Sequence, residues 1–215
     1  MSLPSKDSIP ALLIRDLSRE LVMAVEDALR QGAFRAFNAS AGREDGHLPN
    51  VLGQLRHFDM NESFHRALTA SEARPNAIRG NELVLGRSGI FTLGRFNIAT
   101  GCWLNGRRSH TRRHLALANQ ALEPLVQPTL FEQYTRPSAA VVFFVACFSG
   151  SPRVHADRPV SISLAVPDRD MRGWLFREPL SMFLERYEPV VGDQVDLATP
   201  KLKTNRLTGL GGDRV

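Results

Sequence analysis

Ala139 to Phe148 reads AAVVFFVACF, ten consecutive apolar residues with neither a charge nor a turn-former among them. That is about half of the ~20 residues a membrane-spanning helix needs, so the run predicts buried sheet and no membrane partner. β-Branched and aromatic residues dominate it, as they do in strands. A strand reads as unbroken apolar sequence only when both of its faces are covered. The run is therefore expected to be a central strand.

Other strand signals surround it. Residues 82–86 and 90–98 are rich in Leu, Val, Ile, Phe and Thr and flank Gly86-Arg87-Ser88-Gly89, which predicts a β-hairpin. From Pro159 to Val166 the chain alternates, with Val160, Ile162, Leu164 and Val166 on one face and Ser161, Ser163 and Ala165 on the other. Period-two alternation predicts a strand with one face in the core and one partly exposed.

Helical periodicity occupies the rest. Leu13, Leu17, Leu21, Val25 and Leu29 recur every fourth residue, predicting one amphipathic helix from about Ile9 to Phe37. Ser8 suits its N-cap, Pro10 its first turn, and Gly32 its end or a break. A second helical stretch, 51–70, is expected to be interrupted near Asp59-Met60-Asn61, with Asn61 as a cap. After Asn105-Gly106 a helix over about 108–123 places Leu115, Ala118, Leu122 and Leu125 on one side. Arg112, Arg113, Ala116, Asn119 and Gln120 share the other. A last helix covers about 179–187.

These elements give an α+β fold with a small mixed or antiparallel sheet of about four strands (82–86, 90–98, 139–148, 159–166). One domain over 1–188 is expected, helical over 1–70 and sheet-containing over 80–188, followed by a loosely ordered tail at 189–215. A length of 215 residues with 43 % hydrophobic and 23 % charged residues suits a stable globular core and argues against disorder. The N-terminus shows no secretory pattern, and Cys102 and Cys147 are the two cysteines. A reduced, cytoplasmic setting follows as the expectation.

The formal net charge is +5, and 24 of the 27 basic residues are arginines, the lysines being Lys6, Lys201 and Lys203. Arg suits phosphate and carboxylate recognition because its planar fork donates in pairs. The densest basic stretch is Gly106-Arg107-Arg108-Ser109-His110-Thr111-Arg112-Arg113-His114. Cations at a predicted helix start oppose the helix dipole, and an acidic partner would relieve them. Arg107, Arg108, Arg112 and Arg113 are thus candidate phosphate ligands, with Arg169 and Arg172 on the same side. His110 and His114 are four apart but lack the intervening Glu of a zinc-protease helix, so no metal is assigned to them.

A second cluster, Val166-Pro167-Asp168-Arg169-Asp170-Met171-Arg172-Gly173-Trp174, follows the alternating strand. Asp168 and Asp170 with Glu82 would suit a Mg²⁺ site. The lysine that nuclease sites often place beside an acid is missing. The bland expectation is that Asp168 caps a helix and Asp170 pairs with a neighbouring arginine.

The leading expectation is therefore a non-enzymatic intracellular protein that contacts nucleic acid or another acidic macromolecule, with no cofactor. One alternative is a Mg²⁺-dependent phosphodiesterase using Glu82, Asp168 and Asp170. Another is a protein–protein adaptor of the antitoxin, immunity or phage-related kind, or a homo-oligomer, docking through its first helix.

Overall fold

A computed structural model describes residues 8–126, 137–151 and 154–187. The expected tail at 189–215 lies outside the described residues. Ser8 caps α1 (Ile9–Asp16), its hydroxyl accepting from the Ala11 N–H at 3.4 Å, with Pro10 in the first turn. The leucine stripe does not stay on one helix. Ser18 takes extended dihedrals and its hydroxyl accepts from the Leu21 N–H at 3.1 Å, starting α2 (Arg19–Ser40). A serine side chain that competes for backbone donors favours a cap over a helix interior. Leu17, at the break, is still fully buried, so the apolar stripe survives the interruption.

Two expectations about the helical layer are corrected. Gly32 ends nothing; it lies inside α2, where a Cβ would come within 2.7 Å of the Met60 Cα on α3 (Leu48–Ala70). The glycine is there for helix contact, because backbone meets backbone at that point. α3 in turn runs unbroken through Asp59-Met60-Asn61. Asn61 is buried and spends its side chain on Arg95 rather than on a cap.

Five strands, one more than expected, form a mixed sheet in the order β1-β2-β3-β4-β5. They are β1 (Gly86–Ser88), β2 (Phe91–Ala99), β3 (Ala140–Phe148), β4 (Ser161–Pro167) and β5 (Trp174–Pro179). β2 and β3 are parallel; every other pair is antiparallel. The fold is α+β, and the ten-residue apolar run supplies its central strand.

The hairpin turns one step later than expected, at Gly89-Ile90, with Gly89 at φ +53°. The Asp16 carboxylate accepts the Ile90 N–H at 2.9 Å, and the Ser88 hydroxyl donates to the Asp16 carbonyl. Residues 82–85 are not strand. The Asn76 side chain serves them instead, donating to Leu83 O at 3.1 Å and accepting from Leu85 N at 2.7 Å.

Alternate residues of β3 enter two cores. Val142, Phe144, Ala146 and Phe148 pack with α1, α2, α3 and α5 (Leu180–Leu184), which is shorter than the 179–187 expected. Val141, Phe143, Val145 and Cys147 pack with Phe96, Ile98, Ala116 and Met171 on the opposite face. Burying each such aromatic contributes roughly 2–3 kcal/mol. The second layer also covers Ser163 and Ala165 of β4, which were expected to be partly exposed; Val160 lies outside the strand and is exposed.

That second layer is the crossover from β2 to β3, and it is not one α-helix over 108–123. It comprises a 3₁₀ turn (Trp103–Arg108), α4 (His110–Ala116) and a 3₁₀ segment (Leu117–Leu125). A 3₁₀ helix repeats every three residues, which aligns Ala116, Asn119 and Leu122. Those three are buried, whereas Ala118 of the expected apolar face is exposed.

Candidate anion-binding cleft

The 3₁₀ turn and α4 bring Arg107, His110, Arg113, His114 and Leu117 along one wall of a cleft of about 280 Å³. Arg169 and Asp170, from the turn joining β4 to β5, form the other. Two basic stretches some sixty residues apart in the chain thus share one site. Ser109 holds the near wall, its hydroxyl accepting from Arg112 N at 3.3 Å as the cap of α4.

The helix dipole does not oppose these cations, contrary to the expectation from sequence. α4 has seven residues, and Arg113 and His114 stand in its last turn, where cations are favoured rather than opposed. Arg107 and Arg108 precede the cap. What gathers the charges is the meeting of the crossover with the β4–β5 turn.

The six candidate arginines divide. Arg107, Arg113 and Arg169 line the cleft. Arg108 and Arg172 are exposed on the same two segments but do not line it. Arg112 turns inward: its Nε donates to Gly106 O at 2.7 Å, and its guanidinium lies 4.7 Å over the Phe96 ring. It is a structural residue, and desolvation lowers its pKa.

Among the described residues no carboxylate pairs with Arg107, Arg108, Arg113 or Arg172. Arg169 is partly compensated: its Nε stands 4.0 Å from both Glu123 and Asp170 carboxylates, and its backbone N–H donates to Glu123 Oε1 at 3.1 Å. The cleft therefore presents an excess of donors and positive charge.

The carboxylates proposed for Mg²⁺ do not assemble. Asp168 is occupied by its own turn, accepting from Asp170 N at 3.0 Å, Arg172 N at 2.9 Å and Gly173 N at 2.6 Å. It organises a tight turn rather than capping a helix, since β5 follows. Glu82 precedes β1, at the opposite edge of the sheet from β5. Among the described residues no group of three His, Cys, Asp or Glu side chains is placed to hold a metal ion. Trp103 and Trp174 meet edge to face at 5.3 Å beneath the crossover, and Arg177 stacks 4.6 Å over Trp103, so both indoles are packing groups.

A second polar centre was not anticipated. Arg95, in the middle of β2, is 3 % exposed and has no carboxylate partner among the described residues. It donates to Asn61 Oδ1 at 2.8 Å, Asn97 Oδ1 at 3.0 Å and His57 O at 2.8 Å. Burial pulls its pKa down to about 9, which leaves it charged at neutral pH. Burial, and then the charges of Arg95 and Arg112, hold the His57 imidazole below its ordinary range. Next to this network, Arg56, Asn97, Asn105, Leu52, Ile98 and Phe148 surround a cavity of about 300 Å³. The sequence signal was an Arg inside an otherwise apolar strand pattern, a rare placement for an unpaired charge.

No family model, curated protein or solved structure matches the chain.

Proposed function

We propose that the protein is a non-enzymatic nucleic-acid-binding protein that grips phosphate groups through Arg107, Arg113 and Arg169, with His110 and His114 as further donors. The observation that carries this reading is the convergence of three guanidinium groups and two imidazoles on one open cleft. Arg forks donate to phosphate oxygens in pairs, and exposed Arg108 and Arg172 extend the basic surface along the backbone of a bound strand. Contacts of this kind position a nucleic acid without reading its bases. A cytoplasmic setting belongs to the same reading, since Cys102 is an exposed free thiol and Cys147 a buried one.

The test is fluorescence anisotropy of labelled single- and double-stranded oligonucleotides across a salt series. Affinity is expected to fall log-linearly with salt, by ~0.7–0.9 in slope per phosphate neutralised. Arg107→Ala with Arg113→Ala should weaken binding to all sequences alike. Absent or salt-independent binding would overturn the proposal.

A further inference from the structure

The cavity of about 300 Å³ shares no lining residue with the basic cleft. It opens at the carboxyl ends of the parallel strands, where Ala99 of β2 and Phe148 of β3 line it. Ligands of open sheets characteristically settle at such ends. Its volume is at the lower end of the ~300–1,000 Å³ of small-molecule sites.

Two arginines make the cavity electropositive. Arg56 of α3 lies with its guanidinium 3.9 Å over the Phe148 ring and donates from Nη2 to Ala156 O at 2.5 Å. Its buried Nε has no hydrogen-bond partner, and among the described residues no carboxylate pairs with it. Arg95 stands behind the wall, holding the lining residue Asn97 by its Oδ1 at 3.0 Å. The first turns of α3 supply Pro49, Leu52 and Gly53 to the lining.

Two guanidinium charges, withdrawn from water and without a carboxylate partner among the described residues, are an arrangement that an anion stabilises. Apolar residues complete the lining, among them Leu52 of α3 and Ala99, which pairs with Phe148 in the sheet. We infer that this cavity binds a small organic acid, its carboxylate held by Arg56 and its hydrocarbon body against Leu52 and Ala99. The inference is independent of nucleic-acid binding in the other cleft.

The experiment uses the full chain, with hexanoate and benzoate as probes and hexanamide and benzamide as neutral counterparts, followed by calorimetry. The acids are expected to bind saturably and the amides at least tenfold more weakly. Arg56→Gln should cost the acids at least tenfold. Gly53 faces open space, with nothing within 4 Å of a Cβ there. Gly53→Leu therefore fills the cavity mouth without disturbing the core, and it should abolish acid binding in a folded protein. Arg113→Ala should leave acid binding unchanged while weakening oligonucleotides, which separates failure of one site from failure of the other. Equal binding of acids and amides, no saturable binding of either acid, or undiminished binding in Gly53→Leu would overturn the inference.

Discussion

Asn119 holds Val141 by both of its backbone groups, Nδ2 donating to Val141 O at 3.0 Å and Oδ1 accepting Val141 N–H at 2.7 Å. The same Nδ2 donates to Pro167 O at 2.8 Å, so one fully buried amide joins the crossover to two adjacent strands. This fixes where Arg113 and His114 stand relative to Arg169. Asn119→Leu keeps the size but orphans buried backbone groups, at ~1–3 kcal/mol for each unsatisfied partner. A loss of about 3 kcal/mol is expected, read by urea unfolding.

Neighbouring arginines should behave differently. Arg112→Ala removes the bond to Gly106 O and the stacking on Phe96, at a stability cost of about 1–2 kcal/mol. Arg113→Ala touches only the cleft wall and should leave the melting temperature alone. It should instead lower the salt slope of oligonucleotide binding by ~0.7–0.9. Thermal melts and anisotropy on the two variants make the comparison.

Gly32→Ala should destabilise the protein even though alanine is the better helix former. Its methyl would meet the Met60 Cα at 2.7 Å and Asp59 O at 2.9 Å, and α2 and α3 would have to part. Overpacking of this kind costs about 1–3 kcal/mol. Chemical denaturation checks it, and an unchanged midpoint would show that the helices yield freely.

Alkaline pH should weaken the fold through Tyr187. Its hydroxyl donates to Leu17 O at 2.8 Å, and burial, with the Glu20 charge second, raises its pKa well above the usual 10. The folded chain keeps this proton where the unfolded chain has released it. The contribution is thus complete below pH 10 and is lost as pH rises beyond it. Tyr187→Phe should reduce the alkaline fall in stability and cost about 1 kcal/mol at neutral pH, as followed by melts over a pH series.

The sequence makes some of this legible and hides the rest for physical reasons. β3 is plain because a strand buried on both faces has no polar residue to interrupt it. β5 is not, because an edge strand tolerates Arg177, Glu178 and Pro179, which blur any strand pattern. The buried face of the crossover departs from a 3.6-residue pattern because the segment is a 3₁₀ helix, whose period is three. Ser18 breaks a helix that the leucine spacing carries across, and Gly32, expected to end or break that helix, allows contact inside one.

The basic stretch was visible as composition, but not the division of labour within it. Arg112 and Arg113 are adjacent, yet one turns onto Phe96 and the other into the cleft. The partnership of Arg107 and Arg113 with Arg169 depends on tertiary contact. Arg95 and Arg56 were invisible as a pair, because amides and carbonyls rather than acids receive them, leaving no complementary charge in the sequence to notice.

The parallel pairing of β2 with β3 has a kinetic consequence. β1 with β2, and β3 through β5, are joined by chain-local connections, whereas Ala99 must find Phe148 only after the whole crossover has been laid down. Closing so long a loop costs entropy before any contact compensates for it, and pairings of this kind are slow. The C-terminal meander can zip early while the crossover docks late. The crossover wall of the basic cleft, and the carboxyl-end cavity beside β2 and β3, would then come into existence only at the last step of folding, so that ligand-binding capacity reports completion of the native state.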